Sequence, residues 1–95
     1  MPAYVILDIA VNDHDLFEEY KKLAPATIAA FGGRYLARGG KAETLEGDWL
    51  PNRIVILEFE STQAAKTWLD SPEYREARSL RVRSATSHTI VVEGL

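Results

Sequence analysis

Three arginines near the middle of the sequence are the residues best suited to hold a ligand. Arg34 and Arg38 lie four residues apart in a short segment, and Arg53 begins the next apolar segment. Residues at even spacing share one face of a strand, so the pattern places Arg34 and Arg38 side by side. A guanidinium against a sheet must be paired or must bind an anion, because an unpaired buried charge is costly. The sequence therefore predicts either ion pairs with Asp8 and Glu58 or a pocket for a carboxylate or enolate.

A second group of arginines has helical spacing. Arg75, Arg78 and Arg81 fall at positions i, i+3 and i+6, and Arg83 follows just beyond. Like charges at this spacing repel by a few tenths of a kcal/mol per pair. The acidic segment 43–50 and a small anion are two ways to neutralise them, and a solvated basic helix face is the third interpretation. Nucleic acid is not a predicted partner, because the net charge is −3 and no aromatic residues are interleaved with the arginines.

Proton transfer would need a residue that titrates near neutral pH or a carboxylate. His88 is a candidate general base in the last predicted strand, and Glu58 is a candidate carboxylate for the same chemistry. A strand-end histidine bonded to a neighbour is the structural alternative for His88. Neither histidine stands at metal-ligand spacing from another ligand, so no metal site is predicted. The sequence has no dinucleotide fingerprint, no phosphate-binding glycine loop and no axial histidine for haem, so no cofactor is predicted.

The acidic segment also carries large apolar residues. Leu45, Trp49 and Leu50 are too apolar for a free loop, so they are expected to pack either on a partner subunit or at a pocket mouth. We predict that Trp49, Leu45 and Arg53 contribute to a subunit interface rather than to a mobile lid.

Length and composition bound the class of protein. The chain has 95 residues, 46% of them hydrophobic, which predicts one domain over residues 1–95. It contains no cysteine, which excludes disulfides and thiol chemistry. The first residues lack a basic region followed by a long apolar run, so neither a signal peptide nor a membrane span is predicted. We expect a cytoplasmic protein that does not bind membranes.

Hydrophobic patterns and turn residues define the elements that would position these groups. A β-branched strand is followed by cap residues at 12–13 and a helix in which Pro25 is expected to cause a kink or a restart. Serines at positions 61 and 71 are predicted to begin two further helices. The expected strands span residues 3–11, 34–39, 53–60 and 86–93.

The resulting order, β-α-β-β-α-β, predicts an α+β ferredoxin-like fold with a four-stranded antiparallel sheet. Helices can cover only one face of such a sheet. The strands at 3–11 and 53–60 are apolar on both faces, so a second copy of the chain is the simplest cover for the other face. We therefore predict a homodimer.

Several motifs together resemble one family over essentially the whole chain. They are Ala24-Pro25-Ala26-Thr27-Ile28, Gly32-Gly33-Arg34-Tyr35, Arg38-Gly39-Gly40, Leu45-Glu46-Gly47-Asp48-Trp49, Arg53, Glu58-Phe59 and Ser71-Pro72-Glu73-Tyr74. This combination resembles the domain of unknown function 1330 family of the dimeric α/β-barrel superfamily, which is similar in fold to antibiotic-biosynthesis-type monooxygenases. The resemblance implies two ferredoxin-like subunits packed sheet to sheet. It does not imply a reaction, because one fold hosts many functions.

Two functional hypotheses follow. In the first, the homodimer binds a small anionic or enolisable metabolite, with cofactor-independent oxygenation or isomerisation as its catalytic version. Arg34 and Arg38 would then hold the negative charge, and His88 or Glu58 would move a proton. The pocket would be shaped by Tyr4, Trp68 and Tyr74. In the second, the polar residues only specify assembly of a non-catalytic dimeric module. A cavity lined by both Arg38 and His88 would favour the first hypothesis, whereas a filled core with paired arginines would favour the second.

Overall fold

The computed structural model describes residues 1–95 and contains a four-stranded sheet and three helices. The strands lie in the order β2-β3-β1-β4, and every neighbouring pair is antiparallel. The predicted ferredoxin-like fold is confirmed. Its elements are β1 (Ala3–Val11), α1 (His14–Ala30), β2 (Arg34–Arg38), β3 (Arg53–Phe59), α2 (Thr62–Leu69), α3 (Pro72–Ser84) and β4 (Ala85–Glu93).

Each helix begins at a side-chain cap that the sequence predicts. Asp13 caps α1, Ser61 caps α2 and Ser71 caps α3. In each case the side-chain oxygen accepts the amide hydrogen three residues further on, over 3.0 to 3.1 Å. These bonds satisfy amide groups that the first helical turn leaves without a partner. None of the three helices combines the length and the apolar character that crossing a bilayer requires.

The helix α1 continues through Pro25 to Ala30, so the expected restart at the proline is wrong. A proline inside a helix removes one hydrogen bond. Here the buried residues on either side of it, Tyr20, Ala24 and Ile28, keep one face of α1 on the sheet across the missing bond. Packing of this face, rather than local propensity, keeps α1 continuous.

All three helices pack on one face of the sheet. On this face β1 contributes Val5, Leu7 and Ile9, and β3 contributes Val55 and Leu57 to a single hydrophobic core. The sheet and α1 enclose the part of this core in which the candidate site lies.

The other face of the sheet carries no helix, and we call it the open face. It is also apolar at many positions, as the sequence predicts, and Ile90 and Val92 remain 59% and 47% exposed. From the strand register the open face comprises Tyr4, Ile6, Asp8, Ala10, Arg34, Ala37, Ile54, Ile56, Glu58, Thr86, His88, Ile90 and Val92.

Candidate functional site

A β-bulge in β2 separates the two arginines that were expected to lie side by side. Arg34 pairs with Glu58 and Tyr35 with Leu57, but the next paired residue is Ala37, so Leu36 is an extra residue in β2. One extra residue reverses the alternation of side chains beyond it. Arg34 therefore lies on the open face and Arg38 on the helix-covered face, and the predicted shared face is wrong.

Arg34 forms an ion pair on the open face. Its Nε donates to Glu58 Oε1 over 2.6 Å, and the two side chains are 71% and 22% exposed. Of the two alternatives predicted for Arg34, an ion pair or an anion pocket, the structure shows the ion pair, and its partner is Glu58. Exposed pairs of this kind contribute little to stability.

Arg38 and Arg53 meet at a small cavity between α1 and the helix-covered face of the sheet. The cavity volume is about 20 Å³, which is room for one water molecule. Its walls are mostly apolar, and its polar lining comes from Tyr20, Lys21, Tyr35, Arg38 and Arg53. No aspartate or glutamate lines it, so the cavity is surrounded by hydrogen-bond donors and phenol groups.

Aromatic rings, and not carboxylates, are the partners of these two guanidinium groups. The Arg38 Cζ lies 4.7 Å from the Tyr35 ring centroid, and the Arg53 Cζ lies 5.6 Å from the centroid of Phe17. None of the five ion pairs in the chain includes Arg38 or Arg53. The Arg53 Nε is buried without a hydrogen-bond acceptor. Both groups thus retain the capacity to bind an anion.

Gly39 leaves space for the Arg53 side chain beside the cavity. Its φ is +72°, in the left-handed region that favours glycine, and a Cβ at this position would collide with the Arg53 guanidinium. The glycine after β2 therefore does more than end a strand, because it allows Arg53 to lie close against the backbone.

Lys21 differs from the two arginines because it already has a partner. Its Nζ lies 2.8 Å from Glu18 Oε1, one helical turn away on the surface of α1. The hydrogen bond from Lys21 holds the pKa of the Glu18 carboxyl below its ordinary value, and Lys22 and Arg53 add to the effect. The positive charge available to a ligand therefore comes chiefly from Arg38 and Arg53.

The phenol groups beside the cavity are neutral at physiological pH. Burial raises the pKa of the Tyr35 hydroxyl, and the nearby Arg38 offsets only part of this effect. Burial also raises the pKa of Tyr20 well above its ordinary value, and the neighbouring Tyr74 adds to the rise. Both residues are therefore hydrogen-bonding phenols rather than phenolates.

The other predicted site residues lie elsewhere. His88, Glu58 and Tyr4 are on the open face, separated from Arg38 by the sheet. Trp68 and Tyr74 are buried in the core, where their ring centroids are 4.2 Å apart, and neither lines the Arg38 cavity. Of the predicted pocket residues, the structure brings only Arg38 to this cavity, in the company of Arg53.

The open face has a depression of its own, of about 350 Å³, lined by Ile6, Asp8, Trp49, His88 and Ile90. Asp8 is 8% exposed, and its two oxygens accept hydrogen bonds from Trp49 Nε1 and the Asn52 amide, each over 2.9 Å. Asp8 therefore fastens the loop after β2 across the sheet of its own subunit, and it is not an arginine partner. His88 is the cross-strand neighbour of Asp8 in the register.

The apolar residues of this loop are largely exposed in the single chain. The exposed fractions are 92% for Leu45, 61% for Trp49 and 78% for Leu50. Arg53, which was grouped with Leu45 and Trp49 as an interface residue, instead points to the helix-covered face.

The helix arginines do not form one solvated face. Arg75 is exposed, and Arg78 bonds to Asp70 Oδ1 over 3.0 Å. Arg81 is only 6% exposed. The spacing of Tyr74, Ala77, Arg81 and Ser84, which are the buried residues of α3, is the signal that could have revealed its burial.

Sequence reasoning also missed Tyr20, Lys21 and Tyr35 as lining residues of the cavity. No sequence pattern singled out Tyr20 or Lys21 for this cavity, and none showed that Tyr35 and Arg38 share a face, because the shared face results from the bulge at Leu36. The structure contains no group of three or more His, Cys, Asp or Glu residues placed to hold a metal ion.

Comparison with solved structures places the fold among small proteins of mostly unknown function. A protein of unknown function from Rhodopseudomonas palustris superimposes with a TM-score of 0.78 at 20% identity, covering 99% of this chain and 82% of that one. A dimeric ferredoxin-like protein of unknown function from Jannaschia sp. CCS1 gives 0.73 at 13% identity, covering 99% and 100%. SnoaB, a cofactor-independent oxygenase from Streptomyces nogalater, gives 0.66 at 13% identity, covering 99% and 93%.

At these identities the likenesses establish the fold alone. No curated protein matches the sequence significantly. A family model described as Domain of unknown function (DUF1330) matches residues 2–95, nearly the whole chain. The protein therefore belongs to the DUF1330 family.

Proposed function

We propose that the protein binds a small anionic metabolite in the cavity between α1 and the sheet, with Arg38 and Arg53 holding the negative charge. One observation carries the proposal. Two guanidinium groups without carboxylate partners meet at a cavity whose lining contains no acidic residue. Arginine is suited to this role because its planar donors match the geometry of a carboxylate.

The unsatisfied Nε of Arg53 supports the same assignment. A buried donor without an acceptor costs about 1–3 kcal/mol, so its presence in a folded protein calls for a missing partner. A ligand oxygen at the cavity mouth would supply that partner. A short carboxylate is larger than the present cavity of about 20 Å³, so the proposal requires the Arg38 and Arg53 side chains to move outward when the ligand binds.

The proposal is one of binding, and no catalytic step is assigned to the cavity. No histidine or carboxylate that could act as a general base lines it, and the two predicted proton carriers, His88 and Glu58, lie on the open face. The fold similarity to a cofactor-independent oxygenase at 13% identity does not bring that activity to this chain. A non-catalytic module remains the alternative, supported by the ion pair that Arg34 makes with Glu58.

A thermal-shift screen of short carboxylates tests the binding proposal. A ligand that binds only the folded protein stabilises it by about 2.7 kcal/mol at a hundredfold excess over its Kd, so a bound carboxylate raises the melting temperature in a saturable way. We expect Arg38→Ala to abolish the shift. The matched control is Arg75→Ala, which removes an exposed arginine of α3 and should leave the shift intact.

Two results would contradict the proposal. Either no carboxylate produces a saturable shift with the wild-type protein, or Arg38→Ala and Arg75→Ala retain the same shift. In both cases the arginines would serve stability or assembly, and the non-catalytic module would be the better account.

We further propose that the protein is a homodimer whose subunits meet through their open faces. The exposed Ile90 and Val92 and the loop residues Leu45 and Trp49 support this arrangement, because together they leave apolar surface that a partner would cover. Two of the solved structures with this fold are described as dimeric ferredoxin-like proteins. In such a dimer the anion cavity of each subunit lies on the helix-covered side of its own sheet, away from the partner subunit.

A further inference from the structure

The loop that joins β2 to β3 is held in a defined shape by hydrogen bonds within its own subunit. Asp8 accepts from Trp49 Nε1 and from the Asn52 amide, each over 2.9 Å, so the end of the loop lies on the open face. The Thr44 hydroxyl donates to the Trp49 carbonyl oxygen over 2.6 Å and closes the segment between the two residues. Within that segment Gly47 has a φ of +86°, in the left-handed region that glycine adopts readily. The loop is therefore an ordered structure and not a free linker.

Two leucines beside this closed segment are left in solvent. Leu45 is 92% exposed and Leu50 is 78% exposed, and neither lines the depression on the open face of its own subunit. Scattered apolar side chains on a surface need no explanation, whereas a concentration of them marks an interaction site. Half of the ten large apolar side chains that the single chain exposes belong to this loop or to the open face, namely Leu45, Trp49, Leu50, Ile90 and Val92. The exposed leucines therefore call for a partner surface.

The open-face depression is large enough to receive such a side chain. Its volume is about 350 Å³, and it is walled by Ile6, Ile90 and Trp49, with Asp8 and His88 beside them. A cavity of about 150 Å³ already holds a benzene ring, so this depression admits a leucine side chain. Both oxygens of Asp8 already accept hydrogen bonds, so burial of an apolar group there leaves no carboxylate oxygen without a partner.

Twofold symmetry brings the loop of one subunit to the depression of the other. The two subunits of a twofold dimer contribute the same surface patch, so each contact across the axis is matched by the reverse contact. The loop and the depression lie on the same side of the chain, and the contact is therefore made twice. Leu45 is better placed for it than Leu50. Leu50 adjoins Trp49, which is bonded to the sheet of its own subunit, whereas Leu45 lies at the other end of the closed segment and is the more exposed of the two.

We propose that Leu45 of each subunit inserts into the open-face depression of the other, between Ile6, Ile90 and the indole of Trp49. The inference rests on the proposed open-face homodimer and is independent of the anion cavity, which lies on the other side of the sheet. The loop then has two roles, because Trp49 walls the depression of its own subunit and Leu45 fills that of the partner. Asp8 is a positioning residue that holds the loop in the form that reaches across the interface.

Disulfide cross-linking tests the contact, because the chain has no cysteine and every thiol is introduced. A disulfide forms only where two Cα atoms lie within about 7 Å of each other. We expect a mixture of Leu45→Cys and His88→Cys, oxidised with copper phenanthroline at concentrations at which both sediment as dimers, to give a covalent dimer. Peptide mass spectrometry should show that the bond joins positions 45 and 88. The control is a mixture of Leu45→Cys with Val82→Cys, which places the second thiol at an exposed position of α3 and should give little covalent dimer.

The energetic test is the truncation of Leu45. The Leu45 side chain is almost fully exposed in the single chain, so Leu45→Ala should leave the helix content by circular dichroism unchanged. Each dimer loses two inserted side chains, and we expect the dimer Kd to rise about tenfold or more. Val82→Ala, which truncates an apolar side chain that is 62% exposed on α3, is the matched control and should keep the wild-type Kd.

The outcomes separate this inference from the proposed dimer. A wild-type protein that sediments as a monomer would overturn both. A dimer in which positions 45 and 88 do not cross-link, or in which Leu45→Ala keeps the wild-type Kd, would overturn the insertion and leave the open-face dimer standing. If Leu45→Cys alone gives as much covalent dimer as the mixture with His88→Cys, the two loops meet each other and not the depressions, and the insertion is wrong.

Discussion

Five of the seven arginines form no ion pair, and three of these five each contact a different aromatic residue. Arg38 lies over Tyr35, Arg53 lies over Phe17, and Arg81 donates to the hydroxyl of Tyr74. A cation over a ring gains about 0.5–1 kcal/mol at exposed sites, less than a well-placed oxyanion provides. An anion can therefore replace the Tyr35 and Phe17 rings as the partner of Arg38 and Arg53. Arg81 is buried and is not accessible to such an anion.

Asp8 shows the opposite arrangement, a buried carboxylate whose partners are neutral donors. Asp8→Asn replaces one acceptor oxygen by an amino group that faces a donor, either Trp49 Nε1 or the Asn52 amide. We expect the free energy of unfolding to fall by roughly 1–3 kcal/mol, measured by chemical denaturation. Trp49 should also become more accessible to acrylamide quenching. Asp48→Asn makes the same change of charge in the exposed loop and serves as the control.

If Asp8→Asn and Asp48→Asn have the same free energy of unfolding and the same acrylamide quenching, the loop is not held by Asp8. The other tryptophan, Trp68, is 1% exposed, so a change in quenching reports on Trp49.

At the scale of elements, regular patterns and cap residues predict most of this fold. The caps at Asp13, Ser61 and Ser71 mark the start of each helix, and the predicted strands match the observed ones to within one residue at each end. These signals are local, because a cap bonds within one turn and a strand alternates along its own length. The order of elements then leaves few topologies to choose from.

The candidate site could be predicted only in part, because it depends on two non-local features. The bulge at Leu36 moves Arg38 to the helix-covered face. The sequence of the five residues of β2 does not indicate that one of them is left unpaired. The spacing of Arg81 with the other buried residues of α3 indicates its burial, but the contact of this face with α1 is long-range. Arginine composition suggested an anion site, but the tyrosines that complete it became evident only when β2 and α1 were placed against each other.

At the scale of the whole molecule, the sheet separates two surfaces with different roles. The helix-covered face holds the cavity beside Arg38 and Arg53, and the open face exposes apolar residues and the loop, which we propose a second copy covers. This division explains why His88 and Arg38 do not meet, although both lie on strands of one sheet.

Sedimentation of two matched variants tests the assembly. Ile90 on the open face and Val82 on α3 are 59% and 62% exposed, so the two aspartate substitutions are matched in exposure. We expect the wild-type protein and Val82→Asp to sediment as dimers at micromolar concentration. Ile90→Asp should sediment as a monomer, because an unpaired charge at the centre of an interface opposes association. A folded wild-type monomer, or a dimer of Ile90→Asp as stable as that of Val82→Asp, would contradict assembly through the open face.

The most direct test of the anion site is a two-dimensional ¹H–¹⁵N NMR titration of the wild-type protein with butyrate. The site predicts saturable shifts of the arginine Nε–H signals of Arg38 and Arg53 and of backbone amides near them, such as Gly39 and Tyr20. Amides of the open face, such as that of Ile90, should move little. Shifts that centre on the open face, or an absence of saturable shifts at Arg38 and Arg53, would contradict an anion site beneath α1.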